Sequence, residues 1–227
     1  MNKIIDFAIN VVRWPIAIFM LFSIPALLQT YQLFNFYNLK YYLLGSGIIF
    51  YFATIIFGGY TTRHSMQIIA HELTHTLFAY LTLHKVSKVR LNPDGSGGSM
   101  QLSGYGNWLI TLSPYFFPLF AFLYMLLMPS LTEATDHNFI LYCILGYFLA
   151  YYWSTVLSQT HLGQTDIISE GYLFSFIIII AGNLYVTGII LAFTNKLWTG
   201  AYNFISLVHK TNIENFNTIE KLITQYF

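Results

Sequence analysis

The chain has 227 residues, a formal net charge of +1, 56% hydrophobic residues and only 8% charged ones. Soluble domains carry roughly a quarter charged residues, so a water-facing globule of ordinary polarity is excluded and the membrane class follows. The near-neutral balance gives no electrostatic ground for a nucleic-acid partner.

The first residues, 1–13, set Ile4, Ile5, Ala8, Val11 and Val12 at helical spacing, with Lys3, Asp6 and Asn10 between them. This predicts an interfacial helix lying on the bilayer. The apolar run from Ile16 to Leu28 has the outline of a signal peptide, but no small-x-small cleavage site closes it, and it reads as a retained membrane helix. A spanning helix needs about 20 mainly apolar residues. Runs of that kind fall at about 14–35, 41–59, 62–83, 108–128, 138–158 and 172–195, and 197–209 forms a short, half-inserted piece. The fold expected is an all-α membrane protein, a polytopic bundle of about six transmembrane helices in a single domain, 1–227.

Residues 85–107 are the polar interruption. Val86 to Leu91 alternate, Pro93-Asp94-Gly95 reads as a turn, and Met100 and Leu102 begin a return strand, which predicts a β-hairpin after the motif helix. Its edge would be open to pairing with an extended peptide. The single Cys143 has no disulfide partner and reads as a small apolar core residue. In the last segment, 210–227, Ile213, Phe216, Ile219, Leu222, Ile223 and Tyr226 form an amphipathic stripe that fits lipid, the bundle or a partner equally.

His71-Glu72-Leu73-Thr74-His75 is an H-E-x-x-H motif inside an apolar helix. Residues four apart share a helix face, so two imidazole nitrogens can meet one zinc ion and Glu72 can act as general base on its water. Ionisable groups in a membrane helix are expensive and functional by default. A catalytic zinc site takes three protein ligands and a water. Among the other ionisable groups, Glu133, Asp136 and His137 fall in a short loop and Asp94 in the predicted turn. His64 lies two turns from His71, His84 lies at the far end of the motif helix, and His209 lies near an aqueous boundary. Each of these reads as solvated or structural. Asp166 lies in an irregular stretch between two membrane segments, where non-helical backbone must be buried in protein or line a wet cavity. A helix N-cap by Thr165 or Asp166 explains the same position equally well. His161 is the rival ligand, and Glu170 suits a helix N-terminus.

With these residues in hand, the chain resembles the site-2 protease family of intramembrane zinc metalloproteases, in particular its compact bacterial branch. The resemblance runs from about Gln67 to Asn183. It rests on His71-Glu72-x-x-His75, on the Val86-to-Leu102 segment with its Asn92-to-Gly98 core, on Ser113-Pro114-Tyr115-Phe116-Phe117-Pro118, and on a late aspartate. It implies Zn2+ held by His71, His75 and Asp166, with Glu72 as the catalytic base. It also implies a hairpin that holds an unwound substrate strand, and a transmembrane or membrane-associated polypeptide as substrate. The location implied is a multi-pass position in the bacterial cytoplasmic membrane. The family's late pattern, Asn-x-x-Pro-x-x-x-Leu-Asp-Gly, keeps only its aspartate here: Ser158, His161, Thr165 and Ile167 stand at the Asn, Pro, Leu and Gly positions. The alternatives are a non-proteolytic zinc-binding scaffold, against which the intact Glu72 argues, a metal-ion transporter, against which the lack of repeats argues, and a zinc-dependent lipid or small-molecule hydrolase on the same bundle. Asn107, Ser113 and Asn183 are candidate oxyanion donors, and Ser65, Gln67, Thr74, Gln164 and Thr165 are candidate cavity-lining groups.

Overall fold

The computed structural model describes residues 2–57, 60–91, 97–134 and 138–226. The expected turn at Pro93-Asp94-Gly95 and the loop residues Asp136 and His137 lie outside them. Helix α1 (Asn2–Val11) leads through Val12 into α2 (Arg13–Tyr31), followed by α3 (Leu39–Phe57) and α4 (Tyr60–Leu81). Strands β1 (Val86–Leu91) and β2 (Gly98–Leu102) come next, then α5 (Trp108–Leu112), α6 (Leu119–Ala134), α7 (Asn138–Gln159), α8 (Thr165–Glu170) and α9 (Tyr172–Tyr226). Four of the described helices, α2, α3, α7 and α9, are long and apolar enough to cross a membrane, and the bent pair α5–α6 would make a fifth. Helix α4 has the length, 22 residues, but His64, Gln67, His71, Glu72 and His75 lower its hydropathy. It turns Met66, Leu73 and Tyr80 outward, each seven residues apart, and buries Gln67, His71, Thr74 and His75. The helix is polar inside and apolar outside, the reverse of a soluble amphipathic helix.

Helices α3 and α7 meet at glycines. A Cβ on Gly47 would run into the Cys143 carbonyl, and one on Gly146 into the carbonyl of Leu44. Small residues of this kind let helix backbones approach closely inside membranes. Cys143 sits in this seam, its sulfur 3.1 Å from the Ser46 hydroxyl. Leu141, Leu145, Leu149 and Tyr152 of α7 then join Met125 and Met128 of α6 and Phe193 of α9 in the main apolar cluster.

Two expected spans differ from prediction. The run 108–128 is not one helix: α5 passes into a short 3-10 turn at Ser113–Tyr115, and the chain bends by 78° before α6. Pro114 and Pro118 lack the amide hydrogens that a continuous helix needs. The bend also leaves the carbonyls of Tyr115 and Phe116 without helical partners, and other helices take them up: Tyr152 donates to Phe116 O at 2.9 Å and Asn183 to Tyr115 O at 2.8 Å. The piece 197–209 is not a short isolated segment but the start of an arm that continues to the end of α9. Helix α9 breaks at Lys196 and Leu197, where Leu197 takes φ 48°, and the chain reverses. A Cβ on Gly200 would strike the Ala192 carbonyl, and one on Gly188 the Phe204 ring, although residues eight apart in a straight helix lie about 12 Å from one another. The returning arm packs Phe204 and Val208 with Ala26 and Leu27 of α2.

The hairpin forms as expected. β1 and β2 are antiparallel, pairing Leu91 with Gly98, Val89 with Met100 and Val86 with Leu102, with one extra residue on β1 near Ser87. Among the described residues the sheet has two strands only, so each keeps a free edge.

Candidate metal centre

Helical spacing brings His71 and His75 to one side of α4, and their Nε2 atoms lie 3.1 Å apart. The stretch after α7 returns to the same point. Gln164 opens α8 without a side-chain cap, and Asp166, in the first turn, points its carboxylate at the histidines rather than at the backbone. Asp166 Oδ2 lies 3.5 Å from His71 Nε2 and 3.3 Å from His75 Nε2. The helix-cap explanation of this aspartate is therefore not what the geometry bears out.

The donor set fits a tetrahedral cation. Ligand atoms bonded at about 2.0–2.1 Å around zinc stand about 3.3 Å apart, and the three separations here bracket that value. His75 Nδ1 lies 2.8 Å from the carbonyl of Ile110, an atom that can only accept. The Nδ1 proton is thereby fixed, and the Nε2 lone pair is left facing His71 and Asp166. Three electron-rich atoms aimed at one point need a positive charge between them. Orientation of a ligating histidine by a carbonyl behind it is the usual support of a metal site. Among the described residues this is the one group of three His, Cys, Asp or Glu side chains whose ligand atoms converge. His71 Nδ1 is buried without a hydrogen-bond partner there.

Glu72 is not part of that triangle. Its carboxylate lies against β2, where a Cβ on Gly98 would come within 2.8 Å of Glu72 Oε1. A cavity of about 540 Å³ opens here, walled by His71, Glu72, His75 and Asp166 on one side and by Gly97 to Met100 of the hairpin on another.

The sequence profile described as peptidase M50B-like matches residues 47–163, just over half of the chain. The chain belongs to this family. The site-2 protease assignment expected from the motif accordingly stands, and this M50B-like chain, with its long apolar helices, is an integral membrane protein of a peptidase family. The matched stretch contains His71, Glu72 and His75 and ends before Asp166, so the place of Asp166 rests on its geometry. No curated protein and no solved structure matches the chain.

Other expectations for this M50B-like chain sort by position. His161 lies exposed on the cavity wall and does not join the converging group. Gln164 and Thr165 line the cavity as expected. Gln67 instead donates to Ser154 at 3.1 Å, and Thr74 to the Ala70 carbonyl. The three candidate oxyanion donors are spent on structure: Asn107 caps α5, Ser113 donates to Ile110 O, and Asn183 holds the broken α5–α6 backbone. Glu170 closes α8 and pairs with Arg13 at 3.5 Å. His84 is not at a free surface; it is 3% exposed and bonded to Asp6.

Sequence reasoning missed Tyr115. Its hydroxyl donates to Asp166 Oδ2 at 3.0 Å, and its fully buried ring meets that of His71 edge-on. The only signal was its place between two prolines, which read as helix-breaking chemistry rather than as ligand support.

Proposed function

We propose that this chain is an intramembrane zinc metalloendopeptidase that hydrolyses peptide bonds of membrane-embedded or membrane-associated polypeptides, in a bacterial cytoplasmic membrane. The observation that carries this is the convergence of His71, His75 and Asp166 beside a carboxylate, Glu72, that takes no part in the triangle. A purely structural site has no use for such a base. In this reading α4 is a sixth span, its polar face turned to the cavity and its Met66, Leu73 and Tyr80 stripe to lipid.

Zinc held by His71, His75 and Asp166 would supply a Lewis acid and bring the pKa of a bound water to about 7. Glu72 takes the proton from the attacking water as the oxygen bonds to the scissile carbonyl carbon. Glu72 then returns that proton to the amide nitrogen as the carbon–nitrogen bond breaks, so the base ends as it began. Ile110 and Tyr115 keep His75 and Asp166 turned to the centre throughout. A helical substrate hides its carbonyls in its own hydrogen bonds, and an unwound stretch needs new partners. The free edge of β2 offers them beside Glu72.

The test is cleavage of a synthetic transmembrane peptide by the zinc-loaded chain in detergent, with Glu72→Gln as comparison. The expected outcome is equal zinc content and a cleavage rate at least about a hundredfold lower in the variant, the usual reach of a general base. Undiminished cleavage by Glu72→Gln, or a wild-type chain that binds no zinc, would overturn the proposal.

A further inference from the structure

Two contacts outside the cavity lead from the N-terminal residues to the metal ligands. The first begins at Asp6, the one buried residue of α1, although Ile4, Phe7 and Val11 of the same helix are exposed. Asp6 Oδ1 accepts from Asn107 Nδ2 at 2.7 Å. The other end of that amide, Asn107 Oδ1, caps α5 by accepting from Ile110 N at 3.2 Å. Ile110 O in turn takes the Nδ1 proton of His75. Asp6 is held in place from its other oxygen: His84 Nε2 lies 3.0 Å from Asp6 Oδ2, and His84 Nδ1 lies 3.1 Å from the Thr82 hydroxyl. Leu83, at φ 60°, ends α4 with the turn that carries His84 inward. The row Thr82–His84–Asp6 has the order of a hydrolytic triad, but the Thr82 hydroxyl is buried and donates to Phe78 O, so it holds α1 rather than attacking anything.

The second contact begins at Arg13, where α2 starts. Its guanidinium donates to Glu170 O at 2.7 Å and lies 4.3 Å from the centre of the Phe174 ring. Glu170 is the last residue of α8, the six-residue helix that carries Asp166. Arg13 therefore ties down the C-terminal carbonyl end of that short helix, where a cation is favoured.

We propose that Asp6 and Arg13 are positioning residues for the metal ligands, Asp6 acting through Asn107 and Ile110 on His75, and Arg13 through Glu170 on Asp166. This rests on His71, His75 and Asp166 being a metal site. One amino-terminal segment thus sets two of the three ligands, which belong to elements 91 residues apart in sequence (166 − 75). A buried carboxylate is costly unless it is hydrogen-bonded, and here the pairing of Asp6 coincides with the support of a ligand.

The test is cobalt(II) titration of the metal-stripped full chain in detergent, followed by the visible absorption of the bound ion, together with thermal unfolding of the stripped chain. Asp6→Ala and Arg13→Ala are the direct variants. Asp6→Asn keeps an oxygen acceptor for Asn107 but loses the carboxylate, and Arg13→Lys keeps the charge but loses the planar fork; both guard against loss of folding. The expected result is at least about tenfold weaker cobalt binding in Asp6→Ala and Arg13→Ala, with an altered absorption envelope, as for loss of groups that orient ligands, and a smaller loss in Asp6→Asn. Arg13→Lys is expected to fall between. Unfolding at lower temperature with wild-type cobalt affinity and spectrum would make these residues structural only and overturn the proposal. No cobalt bound by wild type would overturn the metal reading itself, and this one with it.

Discussion

Tyr115 donates its hydroxyl to the one Asp166 oxygen that faces both histidines. Removing that hydroxyl leaves the ring packing against His71 intact but frees the carboxylate to turn. Tyr115→Phe is expected to weaken zinc binding about tenfold, within the range for lost ligand support, with little change in fold; competition against a chromophoric chelator measures it. Gly98 is the complementary case, because it touches Glu72 and none of His71, His75 and Asp166. A methyl group there would meet Glu72 Cγ, Cδ and Oε1, and an ångström of displacement at a reacting group can cost about a hundredfold in rate. Gly98→Ala is expected to keep its zinc and lose most of its peptide cleavage. Loss of zinc in that variant would mean that the strand supports the ligands instead. At this scale the sequence made the α4 half of the site legible, because His71, Glu72 and His75 are related by helix geometry alone. Tyr115 was not legible, since its partner lies 51 residues away and no local pattern links them.

Between elements, the contact of α3 with α7 depends on absent side chains. Gly47→Ala would force a methyl group into the Cys143 carbonyl, backbone that cannot swing aside, whereas a Cβ at Gly45 meets nothing within 4 Å. Overpacking of this kind costs about 1–3 kcal/mol. Gly47→Ala is expected to unfold at lower temperature in detergent than wild type, and Gly45→Ala to match or exceed wild type because a helix glycine is replaced by a better helix former. Equal behaviour of the two would mean that the seam is looser than the contacts indicate. The hairpin was readable from alternation and turn residues. The bend between α5 and α6 was foreshadowed by Pro114 and Pro118, yet the run around them is apolar enough to pass as one span. Carbonyl partners from Tyr152 and Asn183 make the break tolerable, and they come from helices that sequence order does not bring near.

Across the whole molecule, composition excluded a soluble globule, and periodicity with turn chemistry set the helical class, the hairpin and the motif helix. These are properties of neighbouring residues: hydropathy summed over a window, side-chain spacing along one helix, and backbone preference at proline and glycine. The tertiary structure decided what depends on distant segments meeting. It turned α1 so that Asp6 faces the protein and is buried while Ile4 and Phe7 face outward. It folded α9 back on itself at Leu197. It brought Asp166 rather than His161 to the histidines of α4. That last choice is set by where α7 ends and how α8 leaves it. A shift of a few residues in either would carry a different side chain to the same point, and nothing in the local sequence around position 166 encodes the distance to α4.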